Sequence, residues 1–298
     1  LNKTGKKCFI RATISPETRM TRPYRSVLYI PGSKERALDK VRTLPVDAII
    51  FDLEDAVTPD AKIEARATLA AALKDGGYGE RAKIVRINAL DTEWGRDDAL
   101  AVAKMDADAV LLPKVNNALD VQALADLVGD MPIWAMMESC HGIWNAMEIA
   151  AHPAVNGFVA GTNDLAKELN CRPRADRLPM MTALQMLLLA ARAHGVIAVD
   201  GVYNQFKDED GLRVECDQGR DLGFDGKTLI HPAQIDVTNA AFSPSAAEID
   251  LARRQIEAFE EIERSGQGVA VVDGKIVENL HVETAKKILA MASALASL

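Results

Sequence analysis

From Arg25 onward, short apolar runs alternate with longer stretches whose apolar positions recur at helical spacing. The short runs are SVLYI (26–30), DAIIFDL (47–53), AKIVRIN (82–88), DAVLLP (108–113), PIWAMME (132–138), NGFVAG (156–161), IAVDG (197–201) and DGKTLI (225–230). Several are almost continuously apolar and rich in Val, Ile and Leu, the pattern of strands covered on both faces. Between them, segments 59–74, 95–105, 117–128, 142–150, 180–194 and 211–221 read as amphipathic helices. Thr58 and Pro59 suit the cap and first turn of the first of these, and Ser33 is placed to cap a helix after the first strand.

Eight strand–helix units in this order predict a (β/α)8 TIM barrel over residues 25–242. An open doubly wound sheet is the alternative, but no G-x-G-x-x-G follows the first strand. The pattern then changes over residues 243–298. Pro244 to Arg264 reads as a long charged helix, 266–277 as a hairpin turning at Asp273-Gly274, and 281–296 as a closing helix. A C-terminal helical and hairpin extension of about 50 residues is too small to fold alone, so it is expected to dock on its own barrel or on a neighbouring subunit. Residues 1–24 begin with a basic stretch that has no continuous apolar core. They read as a disordered leader, in part a cloning remnant, rather than a signal peptide.

Charge and cysteine usage narrow the function. With 35 Lys+Arg against 43 Asp+Glu, the net charge of −8 argues against nucleic-acid binding, which needs a basic face. No apolar run is long enough for a membrane-spanning helix. Cys8, Cys140, Cys171 and Cys216 are widely spaced and form no C-x-x-C, as expected of reduced thiols in a cytoplasmic protein.

A parallel barrel builds its site at the carboxyl ends of its strands. Those ends here carry Pro31-Gly32-Ser33, Asp52-Leu53-Glu54-Asp55, Arg86-Ile87-Asn88, Pro113-Lys114, Glu138, Gly161-Thr162-Asn163-Asp164 and His231-Pro232. Carboxylates gathered in one place are costly unless a cation neutralises them. Glu138 and Asp164 end adjacent strands and are candidate ligands for Mg²⁺, or Mn²⁺ in its place; an acid/base pair without metal is the competing reading. The histidines show no zinc spacing. Arg86 is placed to hold a carboxylate or a developing oxyanion, or else to form a structural ion pair with Glu54 or Asp55. The turn Pro31–Arg36, with Lys34 and Arg36, suits a phosphate-bearing ligand, with solvated surface charge as the alternative. Gly226-Lys227-Thr228 lacks the first glycine of a P-loop and falls within a strand, and Ser139-Cys140-His141 lacks a nucleophile elbow.

Seven stretches, RSVLYIPGSKERALDK (25–40), DAIIFDLEDAV (47–57), VRIN (85–88), LLPKV (111–115), AMMES (135–139), GTNDLAKEL (161–169) and GFDGKTLIHPAQI (223–235), resemble the citrate lyase β-subunit/malyl-CoA lyase family. The resemblance implies a barrel, Mg²⁺, an acyl-CoA thioester substrate and a homo-oligomer, commonly a homotrimer or homohexamer. By position it implies Glu138 and Asp164 as metal ligands and Arg86 as the residue contacting the reacting thioester. It implies CoA contacts along Pro31, Gly32, Ser33, Lys34 and Arg36; Glu54 is a further candidate for substrate or CoA binding. The family's C-terminal acidic residue, often supplied by the adjacent subunit in a Gly-x-Met-Ile-Asp-x-Pro pattern, corresponds here to Glu278, with no proline after it. VVDGKIVENLH (271–281), DTEWGR (91–96) and VDGVYN (199–204) are most similar to the branch that hydrolyses (3S)-malyl-CoA. The alternatives are carbon–carbon cleavage of malyl-, methylmalyl- or citramalyl-CoA, and a citrate lyase β-like subunit role.

Overall fold

The computed structural model describes residues 22–266 and 268–296. Cys8 and most of the expected leader lie outside them. Eight strands, β1 (Ser26–Pro31), β2 (Ala48–Asp52), β3 (Ala82–Arg86), β4 (Ala109–Leu112), β5 (Ile133–Met137), β6 (Val155–Ala160), β7 (Ile197–Asp200) and β8 (Gly226–Leu229), pair in parallel and in sequence order. β8 pairs back onto β1, which closes the barrel and leaves no sheet edge. The open sheet is thereby excluded.

Around the barrel run α1 (Glu35–Val41), α2 (Lys62–Asp75), α3 (Gly95–Val102), α4 (Ala118–Val128), α5 (Cys140–Trp144), α6 (Ala146–Ala151), α7 (Thr162–Glu168), α8 (Met181–His194), α9 (Glu209–Leu222) and α10 (Ile235–Ala241). The sequence pattern missed α7 and α10, each of seven residues and too short to display a periodic face. It also merged α5 and α6, which break at Asn145. Ser33 is not a cap: α1 starts at Glu35 behind Lys34, with no side-chain cap bond. Thr58 is extended before a single 3-10 turn, Pro59–Ala61, and its hydroxyl caps nothing.

Side chains of the strands divide by their period of two. One set packs outward against the helices, as Leu28, Ile49, Phe51 and Val85 do. The other fills the lumen, with Val27, Ile50, Ile84, Leu111, Trp134 and Val159 in one cluster. Trp134 is the largest of these, and Gly157 makes room for it: a Cβ there would come within 2.2 Å of the indole. Residues 22–24, expected to belong to the leader, make contacts with the barrel. Tyr24 packs on Trp134 with the rings tilted and their centres 5.2 Å apart, and Arg22 pairs with Asp108.

The extension comprises α11 (Ala246–Ser265), a hairpin of β9 (Val271–Val272) and β10 (Lys275–Ile276), and α12 (Asn279–Ala296). Ser245 and Glu248 form a reciprocal capping box at the start of α11. Asp273 and Gly274 both have positive φ, 50° and 76°, as a two-residue hairpin turn requires. Ala270, Val277 and Val282 form a small core of their own against α11.

Candidate active site

The alternation that fills the lumen also builds the site. Continuing Ala48–Ile50 upward gives Asp52, continuing Ala82–Ile84 gives Arg86, and continuing Trp134–Met136 gives Glu138. Lumen packing ends where these three polar side chains begin. Above them lies a cavity of about 420 Å³, lined by Tyr29, Asp52, Asp55, Arg86, Glu138 and Asp164 among others. Arg86 is its one cationic lining residue among those described.

β2 and β3 pair in a register that sets Asp52 beside Arg86. The two form a bidentate pair: Nε donates to Oδ1 at 2.8 Å and Nη2 to Oδ2 at 2.6 Å. Nη1 lies 2.7 Å from Oε2 of Glu54, a charge contact without hydrogen-bond alignment, and 3.3 Å from Oδ2 of Asp55. Tyr29 lies 5.0 Å from the guanidinium carbon and covers its face. Despite burial, the surrounding acids keep Arg86 firmly charged. The structural ion pair is therefore real, and its chief member is Asp52, to which sequence reasoning assigned no role. The aligned strand ends Asp52 and Arg86 were the signal that could have found it.

Glu138 is 6% exposed, and its Oε1 accepts the Lys114 N–H at 2.7 Å. Lys114 adopts the left-handed conformation, φ 54°, unusual for a residue with a side chain. Burial pushes the Glu138 carboxyl up to about 7, and the negative charges of Glu54 and Asp164 add to the shift. Burial likewise pushes Glu54 up to about 7, against the opposing pull of Arg86. Asp164 is exposed in the first turn of α7 and lines the cavity with Glu138. The chain reaches that helix through Gly161, where a Cβ would stand 2.3 Å from the Glu138 Cβ. Only glycine fits against the Glu138 side chain at this position.

The donor set is two carboxylates and no nitrogen or sulfur. No group of three or more His, Cys, Asp or Glu gathers in metal-holding geometry among the described residues. Such a pair fits a hard divalent cation that takes its remaining oxygens from water and ligand. A second cavity of about 560 Å³ meets the first across Glu138 and Asp164 and carries Lys114 and Lys167.

The structure thus brings together Arg86, Glu54, Glu138 and Asp164. Pro31, Gly32 and Ser33 stand on the same rim, where the Gly32 N–H donates to the Asp52 carbonyl at 2.8 Å, but they do not line either cavity. Lys34 and Arg36 are exposed at the start of α1. Glu278 is exposed just before α12 and lines neither cavity of its own chain.

Comparison with known proteins identifies the family. A family profile described as HpcH/HpaI aldolase/citrate lyase matches residues 25–232. A (3S)-malyl-CoA thioesterase of Cereibacter sphaeroides (strain ATCC 17025 / ATH 2.4.3) is 66% identical over 275 residues, 92% of this chain and 96% of that one. The citrate lyase subunit beta of Escherichia coli (strain K12) is 37% identical over 290 residues, 93% of this chain and 96% of that one. Among solved structures, the CitE protein of Mycobacterium tuberculosis in complex with magnesium, acetoacetate and coenzyme A superimposes with a TM-score of 0.78 at 32% identity, over 92% of this chain and 99% of that one. On the barrel, the site and these likenesses, the chain belongs to the HpcH/HpaI aldolase/citrate lyase family.

Proposed function

We propose that this protein is a Mg²⁺-dependent thioesterase that hydrolyses (3S)-malyl-CoA to malate and CoA. One observation carries the reading: a single cavity unites the Arg86 guanidinium with the carboxylates of Glu138 and Asp164. The 66% identity to a (3S)-malyl-CoA thioesterase, and the magnesium and coenzyme A held by the CitE structure, support the choice of substrate and ion.

In this reading Glu138 and Asp164 hold the ion, with Mn²⁺ an acceptable substitute. When bound, it supplies charge neutralisation and a template for the oxygens of the acyl group. The CoA moiety runs over the rim at Pro31–Arg36, where Lys34 and Arg36 meet its phosphates. Arg86 stabilises the negative charge that develops on the thioester oxygen. Its clamping by Asp52 and Glu54 means that no reorganisation is needed as that charge appears. A water oxygen bonds to the thioester carbon while Glu278 of an adjacent subunit takes its proton. The C–S bond then breaks, the leaving CoA sulfur takes the proton back from Glu278, and the new carboxylic acid releases its own proton to solvent. Exposed Val269, Val271, Ile276 and Leu280 on the extension support its packing against a neighbouring barrel in a homotrimer or homohexamer. Free Cys140, Cys171 and Cys216 support a cytoplasmic setting.

The test is to incubate the protein with (3S)-malyl-CoA and Mg²⁺ and follow free thiol, malate and glyoxylate. Thiol and malate without glyoxylate are expected. Glyoxylate with acetyl-CoA would replace hydrolysis by carbon–carbon cleavage, and full activity in Glu138→Ala would overturn the metal assignment.

A further inference from the structure

We propose that Lys62, at the start of α2, is a positioning residue for Arg86, a role that rests on the functional reading above. Lys62 is 6% exposed and makes no ion pair among the described residues. Its ammonium donates to the Leu53 carbonyl at 3.1 Å and the Glu54 carbonyl at 2.8 Å, and lies 5.3 Å from the centre of the Trp94 ring. Burying a cation without a carboxylate partner is costly. An apolar side chain would fill the space at less cost, so the value of a lysine lies in what its donors hold.

They hold the turn that carries the acids around Arg86. The Asp52 carboxylate accepts the N–H groups of Glu54 at 2.9 Å and Ala56 at 3.0 Å while it clamps the guanidinium. That fixes the turn from inside the barrel, and Lys62 fixes it from outside through the two carbonyls. Asn88 adds a third hold, donating to Leu53 O at 2.9 Å and to Asp98 at 2.6 Å. Arg66, one helical turn after Lys62, anchors Asp98 at 2.7 Å. Asp98 is fully buried. This chain of contacts ends at Glu54, whose carboxylate sits 2.7 Å from Nη1 of Arg86. Those acids, Asp52, Glu54 and Asp55, share one guanidinium.

Lys62 touches neither cavity, so its loss should act on the transition state through Arg86 and leave substrate binding in place. The experiment compares the parent, Lys62→Met, Lys62→Gln and the surface control Lys74→Met. It reads steady-state hydrolysis of (3S)-malyl-CoA and hydrogen exchange at the Glu54 and Ala56 amides. Expected for Lys62→Met is a fall in kcat of about 10- to 100-fold, with KM changed less than about threefold and faster exchange at both amides. Lys62→Gln, which keeps an N–H donor group without the charge, should fall between Lys62→Met and the parent, and it carries the test if Lys62→Met does not fold. Lys74→Met should match the parent. A folded Lys62 variant with kcat within about twofold of the parent would overturn the positioning role, even if it melted earlier. A parent inactive on acyl-CoA would overturn the functional reading instead. Amide exchange would then still decide the structural step: faster exchange in the variant supports the hold on the turn, and unchanged exchange refutes it.

Discussion

Two buried clusters of charge flank the barrel, and they are balanced differently. Behind β7 and β8, Asp200 and Glu215 face Arg177 and Lys227. Arg177 Nη1 reaches Asp200 at 2.7 Å, and Lys227 reaches Asp200 at 3.3 Å and Glu215 at 2.6 Å. Two acids meet two cations, and each side stabilises the other: despite complete burial the Asp200 carboxyl is held below, and the Lys227 ammonium above, its ordinary range. At the mouth of the barrel, Asp52, Glu54, Asp55, Glu138 and Asp164 stand around Arg86. There the shifts run the other way, with Glu54 and Glu138 both pushed up to about 7. The first cluster is balanced in charge and serves the fold. The second is short of positive charge and suits an incoming cation, so the balance of charge, more than burial, separates a structural network from a working site.

The sharpest way to break this contrast is to remove one member of each cluster. Asp200→Ala leaves two buried cations facing Glu215 alone. It should destabilise the protein by about 3–5 kcal/mol while the folded fraction keeps its specific activity, as denaturant melts and active-site titration would reveal. Glu138→Gln should do the reverse. The amide oxygen still accepts the Lys114 N–H, but one of the crowded charges is gone. Activity should fall about 100-fold or more, while the metal-free protein becomes more stable at pH 8 by about 1–2 kcal/mol. Loss of both activity and stability would remove the distinction between the clusters.

The clusters should also answer pH with opposite signs. Glu54 and Glu138 bind protons more tightly in the folded chain than their ordinary 4.5 would allow. Their contribution is fully present below pH 4.5 and lost as pH rises through about 7. Metal-free protein should therefore lose stability between pH 5 and 8, on the order of 3 kcal/mol, and added Mg²⁺ should restore it at the upper end. Asp200, with its lowered value, contributes above its ordinary 3.8 and fails only as the solution becomes more acidic than its folded value. Melts from pH 8 down to below 3.8, with and without Mg²⁺, would show whether the two trends separate.

Much of this was legible in the sequence, for a physical reason. Strands covered on both faces must be apolar throughout, so DAIIFDL and PIWAMME declare both their state and their ends, and the first charged residue marks the rim. That is why Glu138 and Arg86 could be named before any coordinates, and why Asp164, just beyond β6, could be placed beside them. What escaped depends on register and backbone angle. Asp52 is one more acid in DLED until strand pairing sets it against Arg86. Lys62 reads as an ordinary residue in the first turn of a helix, and nothing local says that it points inward at two carbonyls. Ser33 has the chemistry of a cap, but the chain turns one residue later than a cap there would need. Glu278 lines neither cavity of its own chain, and its proposed role depends on a second subunit.

The finest test uses a feature the two clusters share. Each contains a residue with a side chain in the left-handed conformation: Lys114, φ 54°, which donates its N–H to Glu138, and Arg177, φ 51°, whose guanidinium meets Asp200. Glycine relieves that conformation at both positions, so the backbone gain should be similar. The side chains decide the sign. Lys114 is exposed, with its N–H rather than its ammonium in the hydrogen bond to Glu138, so Lys114→Gly should keep that bond and stabilise the fold by up to about 1 kcal/mol. Arg177 is 3% exposed and half of the positive charge in its network. Arg177→Gly should therefore lose far more than the backbone returns. If both substitutions stabilised the protein, Asp200 and Lys227 would suffice without the guanidinium, and the balance attributed to that cluster would be wrong.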